Sequence, residues 1–198
     1  LVPHPNASYM GHDPSVPKER LVVAVGRWND DKVKGTQLLI DVSKICVERD
    51  TTLKIEIYGR PSAEMESWHN SLPKIHQNQI LLHGVVSNTE VMSGYKRAKV
   101  AICTSLRESY NIALSEAMCC GCSVVGPDIP EIPSMKWFAR EGFGRMAMRN
   151  PGALASAVAA ELEAWEHGER NAIRISSHWS DELHAPQIAK RILQLSAH

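Results

Sequence analysis

Short aliphatic runs alternate along this chain with longer segments in which apolar residues recur every three or four positions. Leu21–Val25, Leu53–Tyr58, Ile80–Leu82, Val100–Cys103 and Ser123–Val125 read as five strands. Helical spacing predicts helices near Thr36–Arg49, Ala63–Leu72, Thr89–Arg97, Glu108–Gly121 and Pro151–Glu166, the last with a proline at its start. A terminal helix is expected over Asp181–Leu195, and Ser177-His178-Trp179-Ser180 before it reads as a cap and turn. Strands apolar on both faces imply a parallel sheet covered by helices, so the predicted fold class is α/β, a doubly wound Rossmann-like domain. No internal repeat interrupts the pattern.

Composition narrows this reading. A chain of 198 residues, 43% hydrophobic and 22% charged, can bury one good core. With 22 basic and 22 acidic residues the formal net charge is zero, and no basic run suggests a nucleic-acid footprint or an anionic membrane surface. No stretch approaches 18 apolar residues, and Leu1–Met10 lacks the plan of a secretory signal. Pro3, Pro5, Pro14 and Pro17 mark residues 1–17 as the expected remnant of an interdomain linker, with the domain over 18–198. Five cysteines in apolar contexts favour reduced thiols in a cytoplasmic compartment. Core packing and a helix end explain the Cys119-Cys120-Gly121-Cys122 cluster better than zinc, whose sites take spaced ligand pairs. In that compartment the Asn6-Ala7-Ser8 glycosylation sequon stays idle.

Parallel α/β sheets bind ligands beyond the carboxyl ends of their strands, so the loops after Val25, Tyr58, Leu82, Cys103 and Gly126 should gather at one crevice. The first carries Gly26-Arg27-Trp28-Asn29-Asp30-Asp31-Lys32-Val33-Lys34-Gly35, with cations suited to a phosphate. From composition alone a solvated turn with mixed charges would be the better explanation of these residues. Gly59-Arg60 follows the second strand and Val85-Val86 the third. His83 reads as a packed residue. No G-x-G-x-x-G occurs, which argues against an ordinary dinucleotide-binding dehydrogenase. Glu108 and Glu116 lie eight residues apart, but with 22 acidic residues roughly two to three such pairs arise by chance, so the surrounding string must supply specificity.

That string, Glu108-Ser109-Tyr110-Asn111-Ile112-Ala113-Leu114-Ser115-Glu116-Ala117-Met118 and on through Gly121, Val124 and Val125, resembles the E-x7-E segment of retaining group 1 glycosyltransferases with the GT-B fold. Ser109 and Asn111 stand where the family often has glycine, and Ser123 where it usually has proline; asparagine tolerates unusual backbone angles best among the non-glycine residues. The resemblance implies the C-terminal, donor-binding half of such an enzyme. In it Gly26, Arg27 and Lys34 hold the donor diphosphate, with Lys32 a rival to Lys34 because the gap after Arg27 is slightly long. Glu108 would meet hydroxyls of the donor sugar and Glu116 those of the ribose, each carboxylate accepting two strong hydrogen bonds from a diol. A helix starting near Tyr110 would aim its N–H groups, with those of Asn111 and Ile112, at the diphosphate. Gly59, Arg60 and Val86 would border the nucleotide, and Glu131 is a weaker candidate ligand.

The implied reaction is a retaining transfer of sugar from a nucleoside diphosphate to an acceptor hydroxyl. Glu108, Arg27 and Lys34 are its expected catalytic residues, acting through electrostatics and positioning. No cofactor is expected, and the absence of a D-x-D sequence fits a metal-independent reaction. The partners are a nucleoside-diphosphate sugar and an N-terminal acceptor domain, through which the enzyme could touch the inner face of a membrane. A non-catalytic nucleotide-binding scaffold for polysaccharide assembly and a GT-B sugar-nucleotide epimerase are the rival readings.

Overall fold

A computed structural model of the chain describes residues 11–29 and 31–195. Six strands form the sheet: β1 (Glu19–Val25), β2 (Lys54–Tyr58), β3 (Ile80–Gly84), β4 (Ala98–Ile102), β5 (Ser123–Pro127) and β6 (Gly144–Ala147). The helices are α1 (Asp31–Lys34), α2 (Thr36–Arg49), α3 (Ala63–Ser71), α4 (Lys74–Gln79), α5 (Asn88–Arg97), α6 (Ile112–Cys119), α7 (Pro133–Phe138), α8 (Pro151–Glu166), α9 (Ala172–Glu182) and α10 (Ala185–Leu195). Spatial order in the sheet is β3-β2-β1-β4-β5-β6, all parallel. The direction of winding therefore reverses between β1 and β4, which opens a crevice at their carboxyl ends.

Both faces of the central strands are buried, as non-alternating strands require. Leu21 and Val23 of β1 pack into one core with Tyr95 of α5, Met118 of α6, Phe138 of α7 and Trp179 of α9. Val22 and Ala24 point the other way, into a core with Leu39 of α2, Met65 of α3 and Leu162 of α8.

The sixth strand was not expected. Arg145 makes β6 look too polar for a core strand, and β6 is a half-buried edge strand in which Arg145 Nε lies 3.0 Å from Oε2 of the fully buried Glu161. Residues 177–180, read as a cap and turn, are helical instead: they lie inside α9, where Trp179 is wholly buried against Trp137 and Phe138. Burying that indole outweighs the turn preference of the flanking serines.

Of the linker expected over 1–17, residues 1–10, with the sequon at Asn6, lie outside the described residues. The segment that follows is docked. The His12 backbone N–H donates to Ser176 Oγ (3.0 Å), and Lys18 Nζ donates to the carbonyls of Tyr95 (3.0 Å), Ala98 (2.8 Å) and Cys120 (2.9 Å). Burial holds the Lys18 ammonium below the usual lysine range. Cys119, Cys120 and Cys122 are buried core residues. No helix among the described residues is long and apolar enough to cross a membrane.

Candidate functional site

Trp28 fixes the loop after β1. Its indole is buried, Nε1 donates to the Tyr58 carbonyl (2.9 Å), its backbone N–H donates to the Arg60 carbonyl (2.9 Å), and its own carbonyl accepts from Thr36 Oγ1 (2.7 Å). Gly26 leads into this loop, and Gly59 closes on it: at φ 105°, a Cβ on Gly59 would stand 1.8 Å from the Gly26 carbonyl oxygen. Gly59 is thus a backbone-contact residue that lets the β1 and β2 loops meet.

The loop then turns through α1 and Gly35 and is stitched to the loop after β4. Leu106 N–H donates to the Val33 carbonyl (2.8 Å), and Thr104 Oγ1 donates to the Lys34 carbonyl (3.0 Å). Lys34 Nζ lies 2.6 Å from Glu108 Oε1, which also accepts from Ser105 Oγ (2.7 Å). Glu108 N–H donates to the Glu131 carbonyl (3.1 Å), so Glu131 contributes its backbone while its side chain is exposed. Lys34 lines the crevice, whereas Lys32 is exposed outside the lining.

Helix α6 starts at Ile112, two residues later than expected, because Asn111 adopts φ 64°, ψ 74° and cannot be helical there. It is the one non-glycine residue at positive φ among the described residues. Its Oδ1 accepts from Leu114 N–H (3.2 Å), capping the helix, and Nδ2 donates to Cys103 Sγ (3.2 Å). One asparagine thereby serves as left-handed hinge and as cap. Asn111→Ala should destabilise the chain by about 1–2 kcal/mol by losing both properties, and Asn111→Gly by less than about 1 kcal/mol because only the cap is lost. Urea unfolding of the two variants checks this; equal losses would show that the backbone angle contributes nothing.

The resulting cleft, about 450 Å³, is lined by Gly26, Arg27, Lys34, Glu108, Ile112, Ala113 and Glu116, among others. The first N–H groups of α6 have no intrahelical acceptor and sit at its positive end. Arg27 is exposed at the cleft mouth. Glu116 lies one turn into α6; its carboxylate makes no hydrogen bond to the other described residues, and burial raises its pKa above the usual range. The Tyr110 ring is buried against Trp137 and Phe138, so only its backbone can serve the cleft. Arg60 is exposed outside the lining, and Val86 packs on the core beside the β3 edge. His83 is not simply packed. Its half-exposed ring stacks on Tyr58 at 4.3 Å, 3.6 Å from Glu56.

Sequence reasoning missed Ser105, which steadies Glu108, and Arg149, whose guanidinium donates to the carbonyls of Thr104 (3.3 Å) and Ser105 (3.4 Å). Neither belongs to a motif. Hydroxyls and arginines near strand ends are too common to single out.

No curated protein sequence matches the chain. Among solved structures it is similar to TarM (TM-score 0.76, 19% identity, 96% of this chain and 37% of that one). It is also similar to sucrose-phosphate synthase from Thermosynechococcus elongatus (TM-score 0.74, 17% identity, 100% and 51%). A third is the pneumococcal O-GlcNAc transferase GtfA, solved with UDP and GlcNAc (TM-score 0.70, 17% identity, 94% and 37%). The chain thus spans between about a third and a half of the length of these neighbours. Residues 19–164 match the family of glycosyl transferases group 1. With most of its length matched, the chain belongs to the group 1 glycosyl transferases.

Proposed function

We propose that this chain is the donor-binding, C-terminal half of a GT-B glycosyltransferase that transfers a sugar from a nucleoside diphosphate with retention of configuration. The observation that carries this reading is the convergence of Arg27, Lys34, Glu108, Glu116 and the α6 N-terminus on one cleft at the switch point between β1 and β4. Phosphate binding needs cations and free N–H groups, and Lys34 with the start of α6 supplies both. A ribose needs a carboxylate without a prior commitment, and Glu116 fits. The leaving diphosphate gains charge as the glycosidic bond breaks, so Arg27, Lys34 and the helix dipole stabilise the transition state more than the ground state. Ser105 and Lys34 hold Glu108 where a donor sugar would present its hydroxyls. Solved neighbours carrying UDP support a nucleotide ligand. The acceptor site belongs to a separate domain, and the chain alone should transfer little or no sugar; measurable transfer by the isolated chain would overturn that division of labour.

Calorimetric titration with UDP, GDP and ADP, beside Lys34→Ala and Glu116→Ala variants of confirmed fold, tests the donor site. One nucleotide should bind selectively, and both variants should weaken it. Failure of the folded chain to bind any of the three would overturn the donor-site reading.

A further inference from the structure

Arg149 lies behind the cleft lining, against the backbone of the loop that carries Glu108. It lies between β6 and α8, and its Nε and Nη2 span the two consecutive carbonyls of Ser105 and Thr104. A Cβ on Gly35 would stand 2.8 Å from the Arg149 Nη2 and 2.1 Å from the Thr104 carbonyl oxygen, so the guanidinium lies against the peptide that follows Lys34. Three loops from three strands therefore meet at one point. The β1 loop brings Lys34 and Gly35, the β4 loop brings Thr104 to Glu108, and the β6 loop brings Arg149.

Electrostatically this placement is unfavourable by itself. Gly35 is the N-cap of α2, whose positive end repels a cation, and the Lys34 ammonium is the next charge along the chain. Glu108 is the carboxylate that pairs with this set. Behind a cleft lined by Arg27, Lys34, Glu108 and Glu116, the added charge of Arg149 tips the local balance toward an anionic ligand. The hydrogen bonds, by contrast, suit only arginine: a planar fork can serve two carbonyls at once, and a lysine ammonium on a flexible stem cannot hold both in one geometry.

We propose that Arg149 is a positioning residue for the donor diphosphate. It grips the Thr104–Ser105 backbone so that Glu108 and Lys34 stay in register, and its charge adds to the field felt by the second phosphate. This inference rests on the donor-site reading.

The test compares nucleoside monophosphate with diphosphate, in the uridine, guanosine or adenosine series that the wild-type chain binds, for Arg149→Met and Arg149→Lys. Arg149→Met should lower diphosphate affinity by about tenfold while monophosphate affinity, set by Glu116, stays within about twofold. Arg149→Lys keeps the charge and loses the fork, so it should fall between Arg149→Met and wild type. A merely structural role would weaken both ligands equally, in step with melting temperature, and that result would overturn the proposal. So would an unchanged diphosphate-to-monophosphate ratio in Arg149→Met. If the wild-type chain binds no nucleotide of any series, the donor-site reading falls and this inference with it.

Discussion

Glu108→Gln is expected to strengthen binding of a free nucleoside diphosphate by about tenfold while lowering sugar transfer by the complete enzyme by about a hundredfold or more. The ligand-free site spends Lys34 on Glu108 at 2.6 Å, so an arriving diphosphate must compete with a carboxylate for the same ammonium. It also approaches that carboxylate's negative charge. Two unit charges about 7 Å apart at an effective dielectric near 20 repel by roughly 2 kcal/mol before salt screening, which is the origin of the expected gain. Glutamine keeps the shape and can still accept from Ser105 Oγ, but it is a poorer acceptor for sugar hydroxyls and brings no charge to the reacting centre. Binding and turnover should therefore move in opposite directions. Titration calorimetry on the chain and initial rates on the full enzyme measure the two. Weaker diphosphate binding in Glu108→Gln would mean that the ion pair serves mainly to hold Lys34 in place.

Glu116→Gln should make the ligand-free chain more stable at neutral pH and cost it about tenfold to a hundredfold in nucleotide affinity. Burial disfavours the Glu116 carboxylate and raises its folded-state pKa. The sign follows directly. Folding favours the protonated form, so this contribution to stability is complete below the unfolded pKa and is lost as pH rises through the folded one. At pH 7 the charged group is a net cost that the amide removes; at pH about 3.5, below both values, the advantage should disappear. The ligand reverses the balance, because two hydroxyl donors stabilise the buried charge. Thermal melts of both chains at the two pH values, with and without nucleotide, check each arm. A Glu116→Gln chain that melts lower without ligand would show that Glu116 has a structural partner.

The element pattern was readable where one local rule dominated. The bounds of α2 and α8 match the apolar spacing residue for residue, since each buries one long face and begins at a clear signal, Gly35 before α2 and Pro151 in α8. Rules in competition explain the misreadings. The start of α6 depends on the left-handed angle at Asn111, and a propensity scale treats that residue only as a weak helix former. Strand β6 is a half-buried edge strand whose Arg145 finds Glu161 on α8, a pairing that the strand's own pattern does not signal. At the site, Lys34, Glu108 and Glu116 could be picked out because a spaced motif names them. Arg149 could not, because its partners are backbone carbonyls 44 and 45 residues away, which leave no side-chain signature.

The order β3-β2-β1-β4-β5-β6 also sets when the cleft can exist. Lys34 and Glu108 are 74 residues apart, and Thr104 meets the Lys34 backbone across 70. At roughly 5–20 residues per second, a ribosome needs about 4 to 15 seconds to deliver Glu108 after Lys34. Throughout that interval the first βα units have only each other to pair with, and the central strand β1 exposes one edge. Closing that edge with β4 is a non-local step that ranks among the slower events of folding. On the donor-site reading, a nucleotide would find its cleft only after the sheet has closed. Its expected effect falls on the finished domain, where it should slow unfolding and leave the rate of folding unchanged.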